Sequence, residues 1–145
     1  MWFAGNMTHT NDPDVISRLL SSPSRWAVVG LSSNRERAAY RVGAYLQRVL
    51  EMQIVPVHPR AEVVHGQDGY ATLADVPGNI DVVDVFVNSS LAGAVVDEAI
   101  ARGAKAVWLQ LDVIDEEAVQ RAKDAGLDVV MDICPAIEGP RLGLG

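Results

Sequence analysis

Apolar residues fall along this chain in two rhythms. Short runs that are apolar or nearly so, Trp26–Val29, Ile54–Val57, Val82–Val87, Ala106–Leu109 and Leu127–Met131, are bounded by glycine or by polar residues. Runs of this length without strict alternation predict strands buried on both faces. Between them, apolar positions recur at helical spacing. Val15, Ile16, Leu19 and Leu20 follow Asp12-Pro13, an N-cap with proline at the first helical position, and Ser21-Ser22-Pro23-Ser24 ends that helix. Ala38, Val42, Tyr45, Leu46, Val49 and Leu50 predict a second helix, after the turn Gly30-Leu31-Ser32-Ser33-Asn34. Ser89 or Ser90 is expected to cap a helix running to Arg102 and stopped by Gly103, and Asp115 one ending at Gly126. Pro56, within the second strand, requires a place where no ladder N–H is needed. Residues 61–80 are rich in turn formers and predict only a short strand near Tyr70 and one helical turn around Leu73.

Strands separated by helices of this size imply a parallel sheet covered on both faces, hence one α/β domain over residues 12–145. No internal repeat or linker divides it. Residues 1–11 are expected to form a flexible N-terminal tail. They lack the basic start and apolar stretch of a signal peptide, and Met7 offers an alternative start. The length of 145 residues suits a single domain whose core needs no metal or disulfide staple.

Charge narrows the function. Twelve basic against nineteen acidic residues leave a net charge of −7, which argues against nucleic acid or an anionic membrane as partner. One cysteine excludes a disulfide framework, and a reduced, cytoplasmic setting is expected. Self-association is left open.

In an open parallel sheet, ligands sit beyond the carboxyl ends of the strands where strand order reverses. Right-handed crossovers place the first strand and the one ending at Val87 beside that point. The turn after Val29 and the segment Asn88-Ser89-Ser90 then face one another, and each leads into a helix whose free N–H groups favour phosphate. Ser32, Ser33 and Asn34 add short polar side chains, although such residues at helix starts also serve as plain caps. The dinucleotide fingerprint Gly-x-Gly-x-x-Gly fails here, because after Gly30 no glycine occurs before Gly43. A NAD site also wants an acidic residue at the end of the second strand, where this chain has Val57-His58-Pro59-Arg60. Arg60 is either a solvated loop residue or a fork for an extra ribose phosphate, as carried by coenzyme A and NADP.

The strings Val28-Val29-Gly30-Leu31-Ser32, Tyr40-Arg41-Val42, Val57-His58-Pro59-Arg60, Val83-Asp84-Val85-Phe86, Gly103–Leu111 and Ala125–Asp132 resemble the small stand-alone CoA-binding proteins. These in turn are similar to the N-terminal CoA-binding domain of the succinyl-CoA synthetase alpha subunit. The resemblance runs in order from about Ile16 to Leu142. It implies a Rossmann-like, doubly wound parallel sheet of five or six strands with helices on both faces, binding coenzyme A or an acyl-CoA. The implied ligand-binding residues are Gly30, Leu31, Ser32, Ser33, Asn34 and Arg35 in the turn and Tyr40 and Arg41 on the following helix. Val57, His58, Pro59 and Arg60 lie at the adenosine end, and Val87, Asn88 and Ser89 form the opposite wall. Three positions depart from the family's pattern: Ala39 stands where a serine is common, and Val87 and Ile133 where arginines are common. Two lost cations and a lost hydroxyl weaken the hold on a polyanion unless Arg35, Arg37 and Arg41 compensate.

Catalytic candidates are few. Cys134, after the last strand, is placed toward the crevice mouth with His58 as its only prospective base, but a lone cysteine is otherwise a small buried hydrophobe. Asp84, inside an apolar strand, either anchors the crevice loops or meets water or a helix-end N–H. Asp132 ends a strand without an identified partner. Asp97-Glu98 and Glu116-Glu117 read as solvated helix faces, and Trp108 and Phe86 as core packing. His9 and His65 fall in segments expected to be flexible and show no metal-ligand spacing. The leading expectation is a non-enzymatic CoA-binding module, the alternative an NADP-dependent reductase or CoA-ester transferase. The synthetase reaction itself is not expected, since that family's phosphorylated histidine lies in a further domain which these residues do not hold.

Overall fold

The computed structural model describes residues 8–145. Five strands, β1 (Arg25–Val29), β2 (Gln53–Val57), β3 (Val82–Val85), β4 (Ala106–Leu109) and β5 (Asp128–Val130), pair in parallel in the order β2-β1-β3-β4-β5. This is the doubly wound, Rossmann-like sheet, with its reversal of strand order between β1 and β3. The helices are α1 (Pro13–Ser21), α2 (Ala38–Arg48), α3 (Ser89–Ala101), α4 (Glu116–Asp124) and α5 (Pro135–Arg141). Helices α1, α2 and α5 cover one face of the sheet, α3 and α4 the other.

The capping signals act as the sequence implies at α1 and α4. Asp12 accepts from the Asp14 N–H at 2.9 Å and Asp115 from the Ala118 N–H at 3.0 Å. Helix α5 has no counterpart in the predicted elements. Its Pro135 occupies the first turn, and Gly139 lets the helix close on the Tyr45 ring of α2, where any side chain would collide. The predicted sixth strand reduces to one bridge, Val57 to Tyr70, and a 3₁₀ turn forms at Leu73–Asp75. The third strand stops at Val85, two residues earlier than its apolar run, so Phe86 and Val87 turn out into the strand-end crevice.

Trp26 and Trp108 are fully buried on the α2 side, their ring centroids 5.6 Å apart. Strand register sets Asp84 between Val28 and Trp108 on that same face. Residues 1–7 of the expected tail lie outside the described residues. The part that follows them is tied down: the His9 N–H donates to Glu116, and the Asn11 side chain both donates to the Met131 carbonyl and accepts from the Met131 N–H. His65, also expected in a flexible segment, packs on the Tyr40 ring with its Nε2 2.8 Å from the Tyr40 carbonyl. No described helix is long and apolar enough to cross a membrane.

Candidate functional site

A cleft of about 790 Å³ opens at the carboxyl ends of β2, β1 and β3. Gly30 makes it possible. Its φ is +107°, and a Cβ there would lie 2.5 Å from the Phe86 carbonyl oxygen, so only glycine lets the β1 turn pass this close to the exit of β3. The Gly30 N–H donates to Val57 O at 2.7 Å and the Phe86 N–H to Val29 O at 2.8 Å, which ties the three strand ends together.

Two helices begin at this cleft, and both differ from α1 and α4. Arg37 is the N-cap of α2 and Asn88 that of α3, and neither supplies a side-chain cap. The expected Ser89 cap is corrected. Its hydroxyl instead accepts from the Ile114 N–H at 3.0 Å and donates to the Asp112 carbonyl, pinning the β4–α4 loop. The Tyr40 and Leu91 N–H groups bond the Arg37 and Asn88 carbonyls, and the first two amides of each helix, Ala38 and Ala39 in α2 and Ser89 and Ser90 in α3, are left for solvent or a ligand.

Of the sequence-derived candidates, Gly30, Ser32, Asn34, Val57, His58, Pro59, Arg60, Val87 and Asn88 line the cleft. The Ser32 hydroxyl oxygen accepts from the Asn34 N–H at 3.2 Å, which leaves its proton free to donate outward. The Asn34 side-chain oxygen Oδ1 accepts from the Glu36 N–H at 3.0 Å, and its side-chain nitrogen remains available. His58 Nδ1 accepts from the Arg60 N–H at 3.2 Å, so in the neutral ring the proton sits on Nε2. The remaining candidates lie elsewhere. Leu31 is a buried core residue, and Ser33 is engaged with Glu62. Arg35 lies over the Tyr40 ring, Arg41 projects from the exposed side of α2, and Ser89 faces the β4–α4 loop.

Glu62 carries no recognisable motif, yet it controls this turn. Its carboxylate accepts from the backbone N–H of Ser33 at 3.2 Å and from the Ser33 hydroxyl at 3.0 Å. These bonds, with smaller help from Arg60 and His58, hold the Glu62 carboxyl below the ordinary range. Other cleft residues come from the segment Ala71–Thr72, the first residue of the 3₁₀ turn, Leu73, and α3, which contributes Leu91, Ala94, Val95 and Glu98. Among the three arginines weighed as compensation, Arg37 lines the cleft, beside Ala39, whereas Arg35 and Arg41 do not. Ile133 packs on the α2-side core, and its carbonyl accepts from the Trp108 indole.

The catalytic candidates do not converge. Cys134 packs on the α2-side core and is not among the residues lining the cleft with His58. Asp84 is fully buried, and neither carboxyl oxygen has a partner among the described residues, so it does not anchor the crevice loops. Burial alone pushes its carboxyl well above the ordinary range. Asp132 accepts from the Asp112 N–H at 2.7 Å, a bond between neighbouring loops. Among the described residues no cluster of His, Cys, Asp or Glu is suited to a metal. A second hollow at the amino ends of the strands is already committed: Arg25 donates to the Pro77 and Asn79 carbonyls, and Asp81 holds the Arg25 N–H and Lys105.

Comparison with known proteins is consistent along the chain. A family model described as a CoA binding domain matches residues 24–140. The uncharacterised protein YneT of Bacillus subtilis is 34% identical over 119 residues, covering 82% of this chain and 87% of that protein. A solved structure of a hypothetical protein from Pyrococcus horikoshii superposes with a TM-score of 0.83 at 37% identity, over 89% of this chain and 90% of that one. The alpha subunit of an ADP-forming acetate–CoA ligase of Pyrococcus furiosus is 27% identical over 59% of this chain, which spans only 19% of that subunit.

Proposed function

This chain belongs to the CoA binding domain family, and from that premise we propose that its cleft binds coenzyme A or an acyl-CoA as a non-catalytic, cytoplasmic binding module. The observation that carries the reading is the meeting of two helix starts without side-chain caps, α2 and α3, at the strand-order reversal between β1 and β3. Their amides supply the donors a pyrophosphate requires. Arg60, on the neighbouring β2 end, supplies the charge for the phosphorylated ribose, and the His58 ring a further polar edge beside it. Val57, Phe86 and Val87 give apolar surface between these polar groups.

The non-catalytic part of the proposal rests on the separation of Cys134 from the cleft that His58 lines. The missing glycine fingerprint weighs against the NADP-dependent reductase. Titration calorimetry with CoA, dephospho-CoA, NADP and NAD tests the assignment. CoA is expected to bind most tightly, and tighter binding of NADP would overturn it.

A further inference from the structure

The stretch before α1 forms a strap across the end of β5 and the start of α4, held by one chain of hydrogen bonds. Asn11 is at its centre. Its Nδ2 donates to the Met131 carbonyl at 2.8 Å and its Oδ1 accepts from the Met131 N–H at 2.9 Å. That two-point pairing fixes which end of the amide is oxygen, so Oδ1 can only accept. His9 Nε2 lies 2.6 Å from the same Oδ1 and therefore carries a proton. A neutral imidazole has one N–H, which leaves Nδ1 bare. Nδ1 is buried and has no hydrogen-bond partner among the described residues. The His9 backbone N–H donates to Glu116 at 2.7 Å and closes the strap onto α4.

A second proton has to enter at Nδ1, where nothing accepts it, so protonation and closure oppose one another. The charged groups facing the ring come from α4: Glu116 favours the cation, and Lys123, two turns on, opposes it. At the β5 end Met131 is uncharged and Asp132 is committed to the Asp112 N–H, while Asp12, after the strap, caps α1. Burial is the largest influence. Together with Lys123 it outweighs Asn11 and Glu116, and holds the ring's pKa below the ordinary 6.5. We propose that His9 is a proton-operated latch: the neutral ring closes the strap over the end of β5 and the start of α4, and its protonation lifts the strap off and bares the Met131 N–H and C=O. Because closure favours the neutral ring, the strap's hold is complete above pH 6.5 and is lost as the pH falls from there toward the folded-state pKa.

Amide exchange and ring titration by NMR on the whole chain test this. Met131 amide protection, corrected for the intrinsic pH dependence of exchange, is expected to fall several-fold from about pH 7.5 to about pH 5 while the β3 amides keep theirs. In the same titration the His9 ring is expected to show the Nε2–H tautomer at neutral pH and to protonate below the ordinary histidine value. His9→Gln keeps an amide donor but cannot titrate, and it is expected to make Met131 protection independent of pH over that range. A His9 ring that titrates at or above the ordinary value, or Met131 protection that stays flat in the parent, would overturn the latch. So would an unchanged pH dependence in His9→Gln.

Discussion

The carboxylate of Glu62 lies across the N–H and hydroxyl of Ser33, occupying with an internal anion two donors of the turn that leads into α2. A phosphate arriving at this turn meets a negative charge already in place. The Ser33 bonds hold the Glu62 carboxyl below its ordinary 4.5, so the charge persists throughout the neutral range. Glu62→Gln is therefore expected to bind CoA a few-fold more tightly, as suits an exposed charge interaction, and the gain should shrink in high salt. Calorimetry at two ionic strengths checks it, and unchanged affinity at both would remove Glu62 from the account.

Arg60 is exposed and its guanidinium has no partner among the described residues. Arg60→Ala is expected to leave the melting temperature unchanged and to abolish the preference for CoA over dephospho-CoA. A charged hydrogen bond of about 1.5–3 kcal/mol corresponds to a loss of roughly tenfold or more. If the variant retains that preference, another group reads the ribose phosphate.

Gly30→Ala sets a Cβ against the Phe86 carbonyl at a φ of +107°. The backbone conformation alone is expected to cost about 1–3 kcal/mol, and the collision adds to it. Thermal denaturation should show a lower melting temperature, with weakened CoA binding because the β1 turn and the β3 exit are forced apart.

Asp84 makes stability depend on pH in the direction opposite to most carboxyl groups. Its folded-state pKa is raised above the unfolded value near 3.8, so folding favours the protonated form. The associated stability is present below that value and is lost as pH rises toward the folded pKa. Asp84→Asn cannot ionise. It is expected to be more stable than the parent at pH 7, by about 1–3 kcal/mol if it relieves a desolvation penalty of ordinary size, with the difference closing below pH 4. Urea unfolding across that range measures it.

The strands were legible because each apolar run is too short for a helix, and the helices at α1 and α4 because an aspartate announces each start. Helix α5 was not legible: Pro135, Gly139 and Pro140 read locally as breakers, and the helix exists because it docks on α2 beside Tyr45. The cleft shows the same division. Gly30, Ser32, Asn34, His58 and Asn88 could be placed from strand ends alone, since topology brings strand ends together. Leu91, Ala94, Val95 and Glu98 could not, because one exposed stripe of a helix gains meaning only from what stands opposite it. Glu62 was equally silent, its role set by a contact across 29 residues.

The clasp of Asn11 on Met131 has a consequence beyond holding the chain's start. It occupies the N–H and C=O of Met131, just past the end of the outer strand β5. At the other margin, Tyr70 donates to the outward carbonyl of Pro56, whose ring removes the matching N–H. At each flank of the sheet at least one backbone position is thus withheld from edge-to-edge pairing. Asn11→Ala would free the Met131 N–H and C=O without touching any residue that lines the cleft.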